Sequence, residues 1–330
     1  MPALRTSRRQ VLAGSAALVL GMPFVRRAAA ADAVAFQLSW IKSIQYGGYF
    51  AGIETGTYAK LGIAPTFNSG GPNVDAVANV AAGQSQLGDR PIGPLILARD
   101  KGIPIKVIAT VFQRSPLAVM SLAAKPIRTV KELAGKTVAV STSSRPLLAN
   151  MLRDAGMDPH SVSIVPSAPD PSALVSGQID AYVGYSTNQG VMLQTRGVEI
   201  FALNAHDLGM PETAGTIYGR EDFLAGNRDL VVRFLRATMA GWRWALDHKD
   251  ETATLMVQKY GAPGLDLKAQ RTELLASEPF ITANPKGLLA IDPALYDRII
   301  GLYRKVEMIH SPMTAADLCD PSYVDAALAA

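Results

Sequence analysis

Short apolar runs alternate with stretches of helical periodicity along most of this chain, and that alternation constrains the fold more than any other feature. Apolar runs that each return through a helix build βαβ units and a mainly parallel sheet. In the first series, strands are predicted at 34–40, 64–68, 86–88 and 105–112, with helices near 47–59, 73–82 and 92–101. A second series begins after Lys125-Pro126. It opens with a short helix at 129–134, where Thr129 and Glu132 have capping-box spacing. Strands follow at 136–141, 162–165, 181–184 and 198–203, with helices at 145–155 and 172–176.

Two stretches look like copies of one unit: Ala82-Gly83-Gln84 through Ile108, and Ser176-Gly177-Gln178 through Leu203. Each reads helix end, Gly-Gln, strand, helix, Gly, strand, with Gly-to-Gly spans of 19 and 20 residues. A strand-like run at 213–219 and helices at 229–247, 251–260, 267–277 and 293–306 complete the chain. The expected fold class is α/β: two lobes, each a mainly parallel sheet flanked by helices. Crossings near 115–124 and 205–219 make a hinge, with the ligand site in the cleft. The expected division is 32–118 plus 216–330 for lobe 1 and 119–215 for lobe 2.

The first 31 residues stand apart. Ser7-Arg8-Arg9-Gln10-Val11-Leu12 leads an uncharged stretch to Val25, then Arg26-Arg27 and the run Ala28–Ala31. That is the order of an export signal, with cleavage expected near Ala30 or Ala31 and a periplasmic product. The 15-residue apolar stretch is shorter than the roughly 20 residues a membrane-spanning helix needs. The paired arginines resemble the twin-arginine signal; an ordinary basic leader is the alternative.

Removing this segment takes five of the 32 basic residues and none of the 28 acidic ones, leaving 27 against 28. The chain's overall basicity therefore belongs to the leader and argues for no nucleic-acid partner. With Cys319 alone, no intrachain disulfide is possible and no lipid-anchoring cysteine stands at the signal boundary. The four histidines, at 160, 206, 248 and 310, have no metal-ligand spacing. No dinucleotide, Walker or serine-elbow motif is present. The expectation is a binding protein, not an enzyme, without cofactor or metal, acting as a monomer.

The candidate site residues lie in loops at the carboxyl ends of predicted strands, where open α/β sheets place ligands. Trp40 and Tyr46 can stack on a planar ring, and Gly47 lets the helix start approach it; Trp40 filling a sheet–helix seam is the plainer reading. The Asn68-Ser69-Gly70-Gly71 turn offers free amides, or is simply a turn. Ser141, Ser143, Ser144 and Arg145 can cradle an anion or polar group, unless a serine only caps the helix. Asp89 can receive heterocycle N–H groups, cap a helix or pair with Arg90. Tyr185 and Asn188 follow the strand at 181–184 and close the second copy at the cleft side.

As a set, FQLSWIKSIQYGGYF, AGIETGTYAKLGIAPTFNSGG, VAAGQSQLG, ARDKGIPIKVIA, TVKELAGKTVAVSTSS and ALVSGQIDAYVGY resemble the periplasmic solute-binding proteins of the NMT1/THI5-like and SsuA-like group. The resemblance spans about residues 34–250 and implies a type II periplasmic-binding-protein fold delivering a small-molecule ligand to an ABC permease in the membrane. It further implies that Trp40 stacks on a pyrimidine-like ring, a thiamine-pyrimidine precursor or a related heterocycle. Tyr46, Gly47, Gly70, Asp89, Ser143 and Tyr185 fall in the pocket-forming loops. A sulfonate, nitrate or taurine ligand is the alternative within the group. An enzyme of the same fold, making the thiamine pyrimidine, resembles a cysteine-rich signature that this chain lacks.

Overall fold

The computed structural model describes residues 31–329, so the predicted export signal lies outside the described residues. Ten strands form two five-stranded sheets. The first contains β1 (Asp32–Gln37), β2 (Ile63–Asn68), β3 (Leu87–Arg90), β4 (Ile105–Phe112) and β10 (Ala214–Arg220), in the order β2-β1-β3-β10-β4. The second contains β5 (Leu117–Leu122), β6 (Thr137–Val140), β7 (Ser163–Pro166), β8 (Ala181–Tyr185) and β9 (Ile200–Asn204), in the order β7-β6-β8-β5-β9.

The helices α1 (Gly47–Glu54), α2 (Thr57–Lys60), α3 (Ala76–Ala81) and α4 (Ile92–Asp100) fall within the first series. In the second fall α5 (Arg145–Asp154), α6 (Ser172–Val175) and α7 (Val191–Thr195). After β10 come α8 (Glu221–Gly226), α9 (Arg228–Asp247), α10 (Lys249–Leu255), α11 (Leu267–Ile281), α12 (Pro293–Lys305), α13 (Ala315–Leu318) and α14 (Ser322–Leu328). The apolar residues of these last helices join the core of the first sheet.

The two sheets repeat one plan. In each, three parallel strands are followed by an antiparallel strand that separates them from the fourth: β10 between β3 and β4, and β5 between β8 and β9. The sequence copies are β3-α4-β4 and β8-α7-β9. Their paired glycines take matching left-handed conformations, Gly83 and Gly177 at φ 75° and 74°, and Gly102 and Gly197 both at 79°. A side chain is strained there, which is why glycine recurs at both places.

β5 occupies 117–122, within the stretch 115–124 where the sequence places a crossing. Leu117 and Val119 pack into one core layer, and Ala118 and Met120 into the layer on the opposite face. A strand buried on both faces carries a continuous apolar run without alternation, so periodicity does not mark it. The crossings are therefore short, 113–116 and 205–213, and they are tied together by Ser115 N–H donating to Glu212 O at 2.8 Å.

Two local readings also change. The predicted helix at 47–59 breaks into α1 and α2 at Gly56, whose φ is 70°. Glu132 accepts from the Arg128 N–H at 2.9 Å and from the Thr129 hydroxyl at 3.1 Å, and residues 130–133 form one 3₁₀ turn without a reciprocal capping box. The full box sits at Thr314 and Asp317.

Candidate ligand site between the sheets

β1 ends at Gln37, earlier than the predicted Trp40, and residues 38–43 turn across the carboxyl edge of the sheet. Trp40 is held there by its backbone. Its N–H donates to the Tyr46 phenol at 2.8 Å, and its carbonyl accepts from Gly70 N–H at 2.9 Å. Gly70 lies so close that a Cβ would stand 2.3 Å from Leu38 O and 2.6 Å from Trp40 N. Only glycine fits at that approach. Trp40 packs against the core of the first sheet and lines the cleft.

Beneath Trp40 lies a buried polar group. Ser39 N–H and Oγ donate to the two oxygens of Asp89 at 2.9 and 3.0 Å, and Ser39 Oγ is 3.1 Å from the Tyr46 hydroxyl. Asp89 is 1% exposed. Burial pushes its carboxyl up to about 7, against the two Ser39 donors and Arg90 pulling down. Burial, with Asp89 nearby, likewise holds Tyr46 protonated. Arg90 is engaged elsewhere, with Val74 O and the Asp75 carboxylate.

The second sheet supplies the facing wall. Residues 141–144 leave β6 and enter α5 with Ser144 at the cap position, yet Ser144 makes no side-chain capping bond. Its Oγ accepts from Ser141 Oγ at 3.1 Å, and Ser143 Oγ is 3.0 Å from Ser141 Oγ. Gln189, in a π-helical turn over Ser186–Gly190, accepts the Tyr185 N–H through Oε1 at 2.9 Å. Tyr185 touches Phe112 of the first sheet with ring centroids 6.0 Å apart.

The structure sorts the sequence-predicted residues into three groups. Trp40, Ser141, Ser143, Ser144 and Tyr185 line one cavity between the sheets. Tyr46, Gly70 and Asp89 lie behind this lining and hold it. Gly47, Asn188 and Arg145 are outside it: Gly47 packs against Ile44 and Thr252, Asn188 donates to Glu273 on α11 at 2.6 Å, and Arg145 is exposed. The neighbouring Gly48 makes room for Trp242, whose ring a Cβ would meet at 2.2 Å.

Ser39, Gln45, Leu117, Tyr182 and Gln189 line the cavity and were not singled out from the sequence. Ser39 and Gln189 each adjoin a selected residue, and Gln45 lies within the quoted aromatic loop. Leu117 belongs to the unrecognised β5. No residue of the lining carries a formal charge. Among the described residues no cluster of His, Cys, Asp and Glu could hold a metal ion, and no helix is long and apolar enough to cross a membrane.

The cavity measures about 40 Å³, room for a few waters and far below the roughly 300 Å³ of a small-ligand pocket. The space is smaller than a planar ring needs. Among the described residues three polar contacts join the lobes: Thr142 N–H to Pro72 O at 3.3 Å, Asn188 to Glu273, and the Lys305–Asp154 ion pair at 2.7 Å.

The NMT1/THI5-like family profile matches residues 43–252. The chain belongs to this family. Among its relatives is the riboflavin-binding protein RibY of Chloroflexus aurantiacus, 29% identical over 85% of this chain and 82% of that one. Another is the formylaminopyrimidine-binding protein of Halalkalibacterium halodurans, 28% identical over 87% of this chain and 89% of that one. The fold is shared with the Escherichia coli periplasmic aliphatic sulphonate binding protein SsuA, at TM-score 0.65 and 14% identity over 87% of this chain and 91% of that one. It is shared too with the desulfurization enzyme DSZB, at 0.60 and 15% over 90% and 99%. At such identities these two likenesses establish the type II periplasmic-binding-protein fold and nothing about chemistry. For this NMT1/THI5-like chain, Trp40, Ser39 and Gln45 all lie at the start of the profile match or just ahead of it.

Proposed function

We propose that this chain is the solute-binding component of an ABC-type importer and that it captures a small planar nitrogen heterocycle between Trp40 and the serine loop. The uncharged lining carries this reading. Trp40, Tyr182 and Tyr185 provide aromatic surface, while serine and glutamine side chains provide neutral hydrogen bonds. A sulfonate or nitrate would bring a full charge to a lining with no cation, since Arg145 stands exposed outside it. The two relatives named for riboflavin and for formylaminopyrimidine support a heterocycle of that kind.

Capture without turnover is part of this reading, supported by the two relatives named as binding proteins. In this reading residues 1–31 direct export by the twin-arginine route to the periplasm. The lobes divide at 118/119 and 215/216, and a monomer presents the closed form to the permease.

The test is a thermal-shift screen of the purified protein against riboflavin, formylaminopyrimidine, hexanesulfonate and nitrate. A ligand that binds only the folded state at 100 times its Kd adds about 2.7 kcal/mol of stability. Stabilisation by a heterocycle and not by the anions is expected. The reverse pattern would overturn the reading.

A further inference from the structure

Following the protons beneath Trp40 gives each hydrogen bond a direction. The Tyr46 oxygen accepts the Trp40 N–H at 2.8 Å and a Gln45 Nε2–H at 2.9 Å. A hydroxyl has one proton and two lone pairs, so with both lone pairs taken the Tyr46 proton goes to Ser39 Oγ, 3.1 Å away. Ser39 Oγ in turn donates its proton to Asp89 Oδ2 at 3.0 Å. Ser39 Oγ is left with one free lone pair and no free proton, on a residue of the cleft lining.

The opposite wall has the opposite sense. Ser141 Oγ donates to Ser144 Oγ, so the 3.0 Å bond between Ser143 and Ser141 is donated by Ser143. The Ser144 proton remains unassigned and available to a ligand.

We propose that, with Asp89 ionised, the buried chain Tyr46–Ser39–Asp89 makes Ser39 a hydrogen-bond acceptor, so that the cleft selects ligands turning an amino or imide N–H toward β1. Ser39 is the specificity-determining residue. Tyr46 and Asp89 are positioning residues that act through it. Ser144 donates to a ring nitrogen or carbonyl on the other edge. The inference rests on the heterocycle reading and narrows it to N–H-bearing rings; an anion with only acceptor oxygens would set lone pair against lone pair at Ser39.

Calorimetric titration at about pH 8.5, where Asp89 is ionised, tests it with two matched pairs: 4-amino- against 4-methoxy-2,5-dimethylpyrimidine, and riboflavin against 3-methylriboflavin. The wild-type protein is expected to prefer the N–H member by about tenfold, the worth of one net hydrogen bond. In Asp89→Asn the amide donates to Ser39 Oγ and frees the serine proton for the cleft, so the preference falls to parity or inverts. Ser39→Ala, a small change that does not depend on the buried carboxyl, is expected to abolish the preference while both members still bind.

A merely structural role for Asp89 would weaken both members alike and leave their ratio unchanged. An unchanged ratio in either variant overturns the proposal, as does equal binding of both members by the wild-type protein. Binding of hexanesulfonate with no binding of either pair defeats the heterocycle reading itself, a result distinct from a heterocycle bound without N–H preference.

Discussion

The Tyr46 hydroxyl holds the backbone N–H of Trp40 at 2.8 Å, across six residues and one turn of chain, and thereby fixes the tryptophan that faces the cleft. Tyr46 is almost wholly buried and does not itself line the cavity. Its phenol works through Trp40, Gln45 and Ser39.

Replacing Tyr46 by phenylalanine leaves the Trp40 N–H and Gln45 Nε2 without their acceptor. Orphaned buried donors cost about 1–3 kcal/mol, and the expected result is a loss of that size in chemical denaturation. Ligand affinity should fall with it, because Trp40 loses its anchor. An unchanged denaturation midpoint would show that the bond contributes nothing.

Asn188 donates to Glu273 from the opposite lobe at 2.6 Å, and Gln270 on the same helix adds a second, longer bond at 3.3 Å. Glu273 is 2% exposed, and its Oε1 has no partner among the described residues. This contact exists only while the lobes are together. Asn188→Ala is therefore expected to enlarge the radius of gyration in solution scattering and to weaken ligand binding by roughly tenfold, since only the closed fraction binds. The same dimensions and affinity as wild type would remove Asn188 from the closing contact.

The fold should lose stability as pH rises. Burial pushes Asp89 up to about 7, and Glu212 and Glu273 up to about 8. In the unfolded chain such groups titrate near 4. Between those limits the folded protein keeps protons that the unfolded chain has released, so stability is full below about pH 4 and declines through pH 7–8. Carboxylates held low by a cation, Glu54 by Lys259 and Asp222 by Arg220, act in the opposite sense but only at more acid pH. Thermal unfolding is expected at a lower temperature at pH 9 than at pH 5.5; an equal or higher value would contradict the assignment.

The parallel βαβ series was legible because each strand ended in a glycine or polar loop and each helix kept its period, as at β4 and α5. β5 was not, for its run Leu117–Leu122 shows no alternation, and its place in the sheet depends on partners more than 60 residues away in β8 and β9.

The same limit governed the site. Trp40 and the serine loop announced themselves by residue type at strand ends. Asp89 showed its chemistry in the sequence but not its direction: only the fold reveals that both its oxygens face Ser39. Gly47 and Gly48 signalled a close approach, which proved to be toward Thr252 on α10 and Trp242 on α9. Glycine marks where two groups meet without saying which groups.

The proposed function depends on a planar ring lying on Trp40 in the cleft. Calorimetric titration of wild-type protein and Trp40→Ala with the heterocycle found by the thermal-shift screen addresses it most directly. A buried aromatic anchor is worth about 2 kcal/mol or more, so the variant is expected to lose at least about thirtyfold in affinity while its unfolding stays cooperative. Equal affinity in the two proteins would contradict it.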